Sequence, residues 1–213
     1  MSLKYLLLTL IIHTHCYIQS FTIMIDPSGD AKHTGRIIED TFERGITLQC
    51  AEQLKLELNK QVPHIRVVLT RVPGETLQPL QNASFANRLQ VDFYVSIYFY
   101  YEPDIPAHVA LYHYLANQTD YWHTYIPFKF YHINESHLIN IETTAMMGKK
   151  FLQILKNKEI NPHFAPRGLF AVPFKPLLGV KAPAIAIEAG LEQTNDFKYL
   201  IKPIVSWIKE VTT

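Results

Sequence analysis

The sequence has little cysteine, and this limits the chemistry it can support. Only Cys16 and Cys50 occur among its 213 residues. Small disulfide-stabilised domains need several paired cysteines, so a disulfide framework is excluded. Cys50 lies in a predicted helix, where a single cysteine usually behaves as a small buried hydrophobe. Because no second cysteine and histidine accompany it at metal-ligand spacing, the sequence does not predict a thiol site.

The sequence also lacks an excess of charge and a long hydrophobic run. Lysine plus arginine number 20 and aspartate plus glutamate 19, with no run of like charge, so no nucleic-acid partner is predicted. A basic start is followed by an apolar run over residues 5–12, which has the length of a secretory h-region and is too short to span a bilayer. This pattern predicts a signal peptide over residues 1–20 and no stable membrane span after its removal. A buried first strand is the alternative.

The remaining residues, 21–213, have the composition and length of one globular domain. Hydrophobic residues make up 48% and charged residues 18%, and neither a repeat nor a linker interrupts the chain. The pattern predicts strands over residues 21–25, 65–71, 92–98, 108–114, 169–173 and 184–187, and helices over 46–58, 77–89, 142–156 and 197–211. This alternation favours a single α/β domain with an open, mostly parallel twisted sheet and helices on both faces.

Several segments match, in order, a known family of enzymes. They are Ile25-Asp26-Pro27, Glu43 at the opening of the first helix, Val67 to Arg71, Leu80 to Arg88, Val95-Ser96-Ile97, Arg167-Gly168, and Pro183 to Gly190 with Glu188. Together they resemble the zinc-dependent N-acetylmuramoyl-L-alanine amidases, the cell-wall hydrolases of amidase type 3. The resemblance covers the chain from about residue 21 to its end, and it implies the amidase-like α/β fold.

The resemblance also implies a chemistry and a place of action. The family holds one zinc ion with two histidines and a glutamate, leaving a position for water, which is the arrangement of catalytic zinc sites. Glu43 corresponds to the metal-binding glutamate, and Glu188 corresponds to the second glutamate, the general base. The implied substrate is peptidoglycan or a muropeptide, cleaved between the lactyl group and L-alanine. The implied location is outside the cytoplasm, in the periplasm or cell envelope.

Two of the three metal-binding side chains are missing from this sequence. The first histidine position of the family falls at Gly29, which has no side chain, and the second falls at Tyr98, whose phenol is a poor zinc ligand at neutral pH. Loss of even an outer-shell partner costs about 10–100-fold in metal affinity or activity. His33, in the same loop as Gly29, is a candidate replacement ligand that could turn toward Glu43. The alternative for His33 is an ordinary surface residue.

The two glutamates also allow two interpretations each. Glu188 is either a proton shuttle or a remnant carboxylate paired with a cation, and Glu43 is either a ligand or a helix-N-terminal carboxylate favoured by the helix dipole. Three hypotheses follow. The chain is an active amidase whose zinc is held by Glu43 and His33, an inactive module that binds peptidoglycan or regulates a partner hydrolase, or an envelope scaffold. We expect an amidase-family protein with impaired or lost zinc catalysis, with zinc as cofactor if active and none otherwise.

Overall fold

The computed structural model describes residues 20–78, 80–115 and 133–212. Residues 1–19, which hold nearly all of the predicted signal peptide, lie outside the described residues. Within them, no helix is both long and apolar enough to cross a bilayer.

A sheet of six strands forms the centre of the domain. Its strands are β1 (Phe21–Pro27), β4 (Ile65–Leu69), β5 (Phe93–Tyr101), β6 (His108–Tyr114), β7 (Ala165–Val172) and β8 (Ala184–Leu191). The strand order is β4-β1-β5-β8-β6-β7, and only β6 and β8 pair antiparallel. The predicted open, mostly parallel sheet is therefore confirmed.

The helices cover both faces of this sheet, as predicted. Helices α1 (Glu43–Gln61), α3 (Ile141–Lys156) and α4 (Lys198–Thr212) bury their apolar residues against one face, and α2 (Gln81–Leu89) contributes Ala83 and Ala86 to a smaller core on the other. In the larger core the Trp207 ring stacks on Phe151 at 4.2 Å, and its indole N–H donates to the Met147 carbonyl at 2.9 Å. Burial of a large ring with its polar group satisfied favours a single packing arrangement.

Several local features differ from the sequence prediction, and two of them lie near the carboxyl edge of the sheet. Strand β7 also begins earlier than predicted, at Ala165, and β8 ends later, at Leu191. Helix α2 begins at Gln81 rather than near residue 77, because Leu80 adopts a left-handed backbone conformation with φ 61° that cannot continue a helix. A small hairpin of β2 (Ile37–Ile38) and β3 (Thr41–Phe42) precedes α1 and was not predicted. Strands of two residues are too short to show a periodic pattern. This hairpin carries the chain from β1 across the carboxyl edge of the sheet to Glu43.

Candidate functional site

The carboxyl ends of β1, β5 and β8 meet at one edge of the sheet, where open parallel sheets commonly bind ligands. Tyr98 on β5 lies directly beside Glu188 on β8, and Ser96 lies beside Asp26 on β1. Glu43 reaches the same edge because it is the first residue of α1. The structure thus brings Glu43, Glu188 and Tyr98 together.

Glu43 is buried, with 4% of its surface exposed, and protein donors occupy both of its oxygens. Ser28 Oγ donates to Oε1 at 2.7 Å, and the Phe99 backbone N–H donates to the same oxygen at 3.1 Å. The Arg36 backbone N–H donates to Oε2 at 3.1 Å. One carboxylate therefore ties the loop after β1, strand β5 and the start of the β2–β3 hairpin to the first turn of α1.

Glu188 is held by a cation and a phenol. Arg36 Nη2 donates to Glu188 Oε1 at 2.7 Å, and the Tyr112 hydroxyl donates to Oε2 at 3.0 Å. The Arg36 side chain is half exposed, whereas that of Glu188 is largely buried. The carboxylate is thus paired with a cation. Its role as a proton shuttle and its role as a remnant carboxylate both stay predictions.

Arg36 links the two glutamates, through its backbone to Glu43 and through its side chain to Glu188. Partial burial works against its charge, but the hydrogen bond with Glu188 and the charges of Glu188 and Glu43 outweigh this and raise the pKa of Arg36. Its guanidinium carbon also lies 5.2 Å from the centre of the Tyr100 ring, within cation–π distance. Sequence reasoning missed Arg36, which lies in no motif and reaches Glu188 only through the fold.

Gly29 has a backbone conformation that disfavours any side chain. Its φ is +77°, and a Cβ built on it would lie 2.8 Å from Arg44 Cβ and 3.1 Å from the His33 carbonyl oxygen. Positive φ costs an L-residue about 1–2 kcal/mol. The loop after β1 is therefore shaped around a glycine at position 29.

Tyr98 is packed as a neutral phenol. Its ring meets Phe174 edge to face at 5.2 Å, and its hydroxyl lies 3.1 Å from Ser96 Oγ. Burial, together with the nearby carboxylate of Asp26, raises the pKa of Tyr98 well above its ordinary value. A metal ligand would need the deprotonated phenolate, so burial makes this side chain a still poorer ligand.

Asp26 joins four elements beneath the site. Thr70 Oγ1 and Asn82 Nδ2 each donate to its Oδ1 at 2.8 Å, and Ser96 Oγ donates to Oδ2 at 2.9 Å. Burial raises the pKa of Asp26, although these hydrogen bonds oppose the shift. A cavity of about 230 Å³ opens beside this cluster and is also lined by Gly29 and Tyr98. A buried, fully bonded carboxylate of this kind serves mainly to hold the loop after β1 in place.

His33 lies apart from the two glutamates. Its Nδ1 is 3.1 Å from Asp30 Oδ2, and 68% of its side chain is exposed. In the described residues its ring contacts Asp30 and not Glu43. Its role as a ligand stays a prediction, because no measured property of the chain tests it.

The environment of Asp30 makes the stability of the fold depend on pH. Burial alone would raise its pKa, but hydrogen bonds from the backbone of His33, Leu77 and Lys32 and from the His33 ring outweigh it and hold the pKa well below 3.8. A carboxyl whose pKa is lowered in the folded state stabilises the fold above its unfolded pKa and loses this contribution as the pH falls below it.

We expect Asp30→Asn to lower the free energy of unfolding by about 1.5 kcal/mol at pH 6, the scale of hydrogen bonds to a charged group. The difference in free energy of unfolding between the variant and the unmodified protein should shrink as the pH falls below 3.8. Urea titrations at a series of pH values measure it. A difference that stays constant down to pH ~2 would show that the Asp30 charge does not contribute.

The side chains at this edge do not fit a zinc hydrolase site. Across residues 20–78, 80–115 and 133–212, no group of three histidine, cysteine or acidic side chains could hold a metal ion. Gly29 offers no donor, Tyr98 is a partly buried neutral phenol, and Glu43 already accepts three hydrogen bonds. A catalytic zinc needs three protein ligands with free lone pairs.

Comparison with known proteins identifies the class. The sequence model of the N-acetylmuramoyl-L-alanine amidases called Amidase_3 matches residues 23–207. This chain belongs to that family. No curated protein matches it significantly by sequence.

Solved structures agree with this assignment. An N-acetylmuramoyl-L-alanine amidase from Clostridium difficile 630 superposes with a TM-score of 0.67 at 19% identity, over 91% of this chain and 97% of that one. AmiC2 of Nostoc punctiforme gives a TM-score of 0.67 at 14% identity over the same shares. The catalytic domain of CwlV from Bacillus (Paenibacillus) polymyxa gives 0.64 at 18%, over 90% of this chain and 97% of that one. At these identities the likeness shows the fold.

Proposed function

We propose that this chain is a cell-envelope protein that binds peptidoglycan through the amidase cleft and has lost the family's zinc-dependent hydrolysis. The proposal rests mainly on the hydrogen bonds that Glu43 accepts. Its two oxygens face Ser28, Phe99 and Arg36, so the one remaining metal-binding side chain of the family serves here as a structural acceptor.

The charge distribution of the cleft supports the same proposal. A zinc ion would bring two positive charges close to Glu43 and Glu188, and Arg36 already supplies one fixed positive charge there. A second cation would be repelled by the guanidinium and would compete with it for Glu188. Arg36 thus neutralises part of the negative carboxylate charge that a metal ion would otherwise neutralise.

We infer the ligand, the location and the kind of partner of this chain from its family and from similar structures. The family is named for an amide bond of peptidoglycan, so peptidoglycan or a muropeptide is the ligand we assign, and export to the envelope follows from where peptidoglycan lies. A similar structure, the CwlD amidase from Clostridioides difficile, was solved in complex with the GerS lipoprotein. By analogy, a protein of the envelope, such as a partner hydrolase, is a candidate partner for this chain.

Binding and hydrolysis of purified, insoluble peptidoglycan test this function together. We expect the protein to sediment with peptidoglycan and to release no free stem peptide, with or without added zinc. The charge reversal Glu188→Lys should weaken sedimentation about tenfold, because it places two adjacent cations in the cleft. Glu57→Lys is the matched control, since Glu57 lies on the side of α1 that faces α4 and bonds only with Gln61 in the described residues.

Two results would contradict the proposal. Stem-peptide release that disappears in Glu188→Gln would show an active amidase. Equal sedimentation of the unmodified protein and Glu188→Lys would show that the cleft does not hold the polymer.

A further inference from the structure

A groove runs between α1 and α4, away from the cleft at the carboxyl edge of the sheet. It has a volume of about 680 Å³ and is lined by α1 from Gln53 to Gln61 and by α4 from Lys198 to Lys209. A helix advances 1.5 Å per residue, so the lining stretch of α4 is about 17 Å long, which is about three helical turns. By the same measure Gln53 lies about 15 Å along α1 from Glu43. The groove and the cleft are therefore separate sites.

The floor of the groove is apolar, and an exposed leucine stands at its side. Ile201 is partly buried and packs against the larger core, and Val205, one turn further along α4, is almost fully buried. Leu56 on α1 is 69% exposed although its side chain is large and hydrophobic. A concave apolar strip between two helices is a shape into which an amphipathic helix can lay its apolar face.

The rim of the groove is positively charged. Its lining holds one acidic side chain, Glu57, and three lysines of α4, namely Lys198, Lys202 and Lys209. In the described part of the chain Lys198 and Lys202 form no ion pair. Lys202 Nζ donates to the Glu159 backbone carbonyl at 2.8 Å, and Lys198 Nζ lies 5.9 Å from the centre of the Phe197 ring. Carboxylates that would neutralise these two charges must therefore come from another molecule.

We infer that this groove, with Leu56, Ile201 and Val205 on its inner surface and Lys198 and Lys202 at its rim, docks an acidic amphipathic helix of another protein. The apolar stripe of that helix would bury against the leucine and the floor. Aspartates and glutamates beside the stripe would face the lysines, and the same lysines would repel a basic helix. The inference goes beyond the proposed function, because a partner in the groove leaves the cleft open.

Fluorescence anisotropy with a synthetic peptide tests the inference on the full chain. The probe is a labelled amphipathic peptide of about 18 residues, with leucines along one helical face and glutamates beside them. The control peptide has lysine in place of each glutamate. We expect the acidic peptide to bind, with an affinity that falls as the salt concentration rises, and the basic peptide not to bind.

Three variants locate the peptide in the groove. Leu56→Glu and Lys198→Glu should each weaken binding of the acidic peptide about tenfold, because both place a negative charge where the glutamates would lie. Lys149→Glu is the matched control, since Lys149 is an exposed lysine on α3 outside the groove, and it should leave binding unchanged. Leu56 and Lys198 are exposed, so thermal unfolding should show every variant folded. All three should sediment with peptidoglycan as the unmodified protein does.

The outcomes separate this inference from the proposed function. Failure of the acidic peptide to bind, or equal binding by all variants, would overturn the docking site. A dimer that Leu56→Glu dissociates would make a second copy of the chain the occupant, and binding to anionic lipid vesicles that Leu56→Glu abolishes would make it a membrane surface. Either result would also overturn the inference. Loss of sedimentation with peptidoglycan alone would overturn the proposed function and leave the docking site standing.

Discussion

Replacement of Glu43 by alanine is expected to lower the free energy of unfolding by about 3 kcal/mol, because it leaves buried donors without an acceptor. The Ser28 hydroxyl and the Phe99 and Arg36 backbone N–H groups all point at this carboxylate. For a domain of this size the loss corresponds to a fall in melting temperature of about 6–12 °C. Calorimetry or urea titration measures it.

Two companion variants make the result interpretable. Glu43→Gln keeps the shape but turns an amide N–H₂ toward these donors, so it should also destabilise, by about 1–2 kcal/mol. Glu52→Ala removes an exposed carboxylate from the same helix and should change stability by less than about 0.5 kcal/mol. A Glu43→Ala protein as stable as Glu52→Ala would mean that Glu43 is a vacant ligand rather than a structural acceptor.

Placing histidine at positions 29 and 98 is expected to cost about 3 kcal/mol and to give no stoichiometric zinc binding. In Gly29→His/Tyr98→His, the residue at position 29 has a φ of +77° and a Cβ in overlap with Arg44. The smaller imidazole at position 98 leaves a gap against Phe174. Glu43 remains bonded to its three donors, so two imidazoles would still lack the third ligand. Isothermal titration with zinc, beside a melting curve, tests both parts.

Tyr98→Phe is the control for this double variant. It keeps the ring against Phe174 and removes only the hydroxyl beside Ser96, so it should cost about 1 kcal/mol. One tightly bound zinc in the double variant, with its stability unchanged, would show that the site is rebuilt more easily than the loop conformation indicates.

The sheet was predictable from the sequence, but the short elements were not. The composition of the apolar segment β5 and of the aromatic segment β6 identifies both as strands. Strand β6 was predicted with its observed ends, His108 and Tyr114. The β2–β3 hairpin was missed because two-residue strands leave no periodic signal. The start of α2 was missed because it depends on the backbone conformation of one residue, Leu80.

The candidate site was only half predictable. Motif order singled out four positions: Gly29 follows β1, Glu43 opens α1, and Tyr98 and Glu188 lie in the carboxyl-terminal halves of β5 and β8. Their assigned roles stay predictions. Arg36 could not be identified as the partner of Glu188, because the two residues lie 152 positions apart in the sequence and no local pattern indicates their contact. The contact between the Tyr112 and Phe170 rings likewise depends on the register between β6 and β7, which includes a bulge between Val109 and Ala110.

The most direct test of the account is the zinc content of the purified protein, measured by elemental analysis after equilibration with zinc and removal of the excess. We expect far less than one zinc per chain, and the same value for Glu43→Gln. One zinc per chain in the unmodified protein, lost in Glu43→Gln, would contradict it, because Glu43 would then be a ligand.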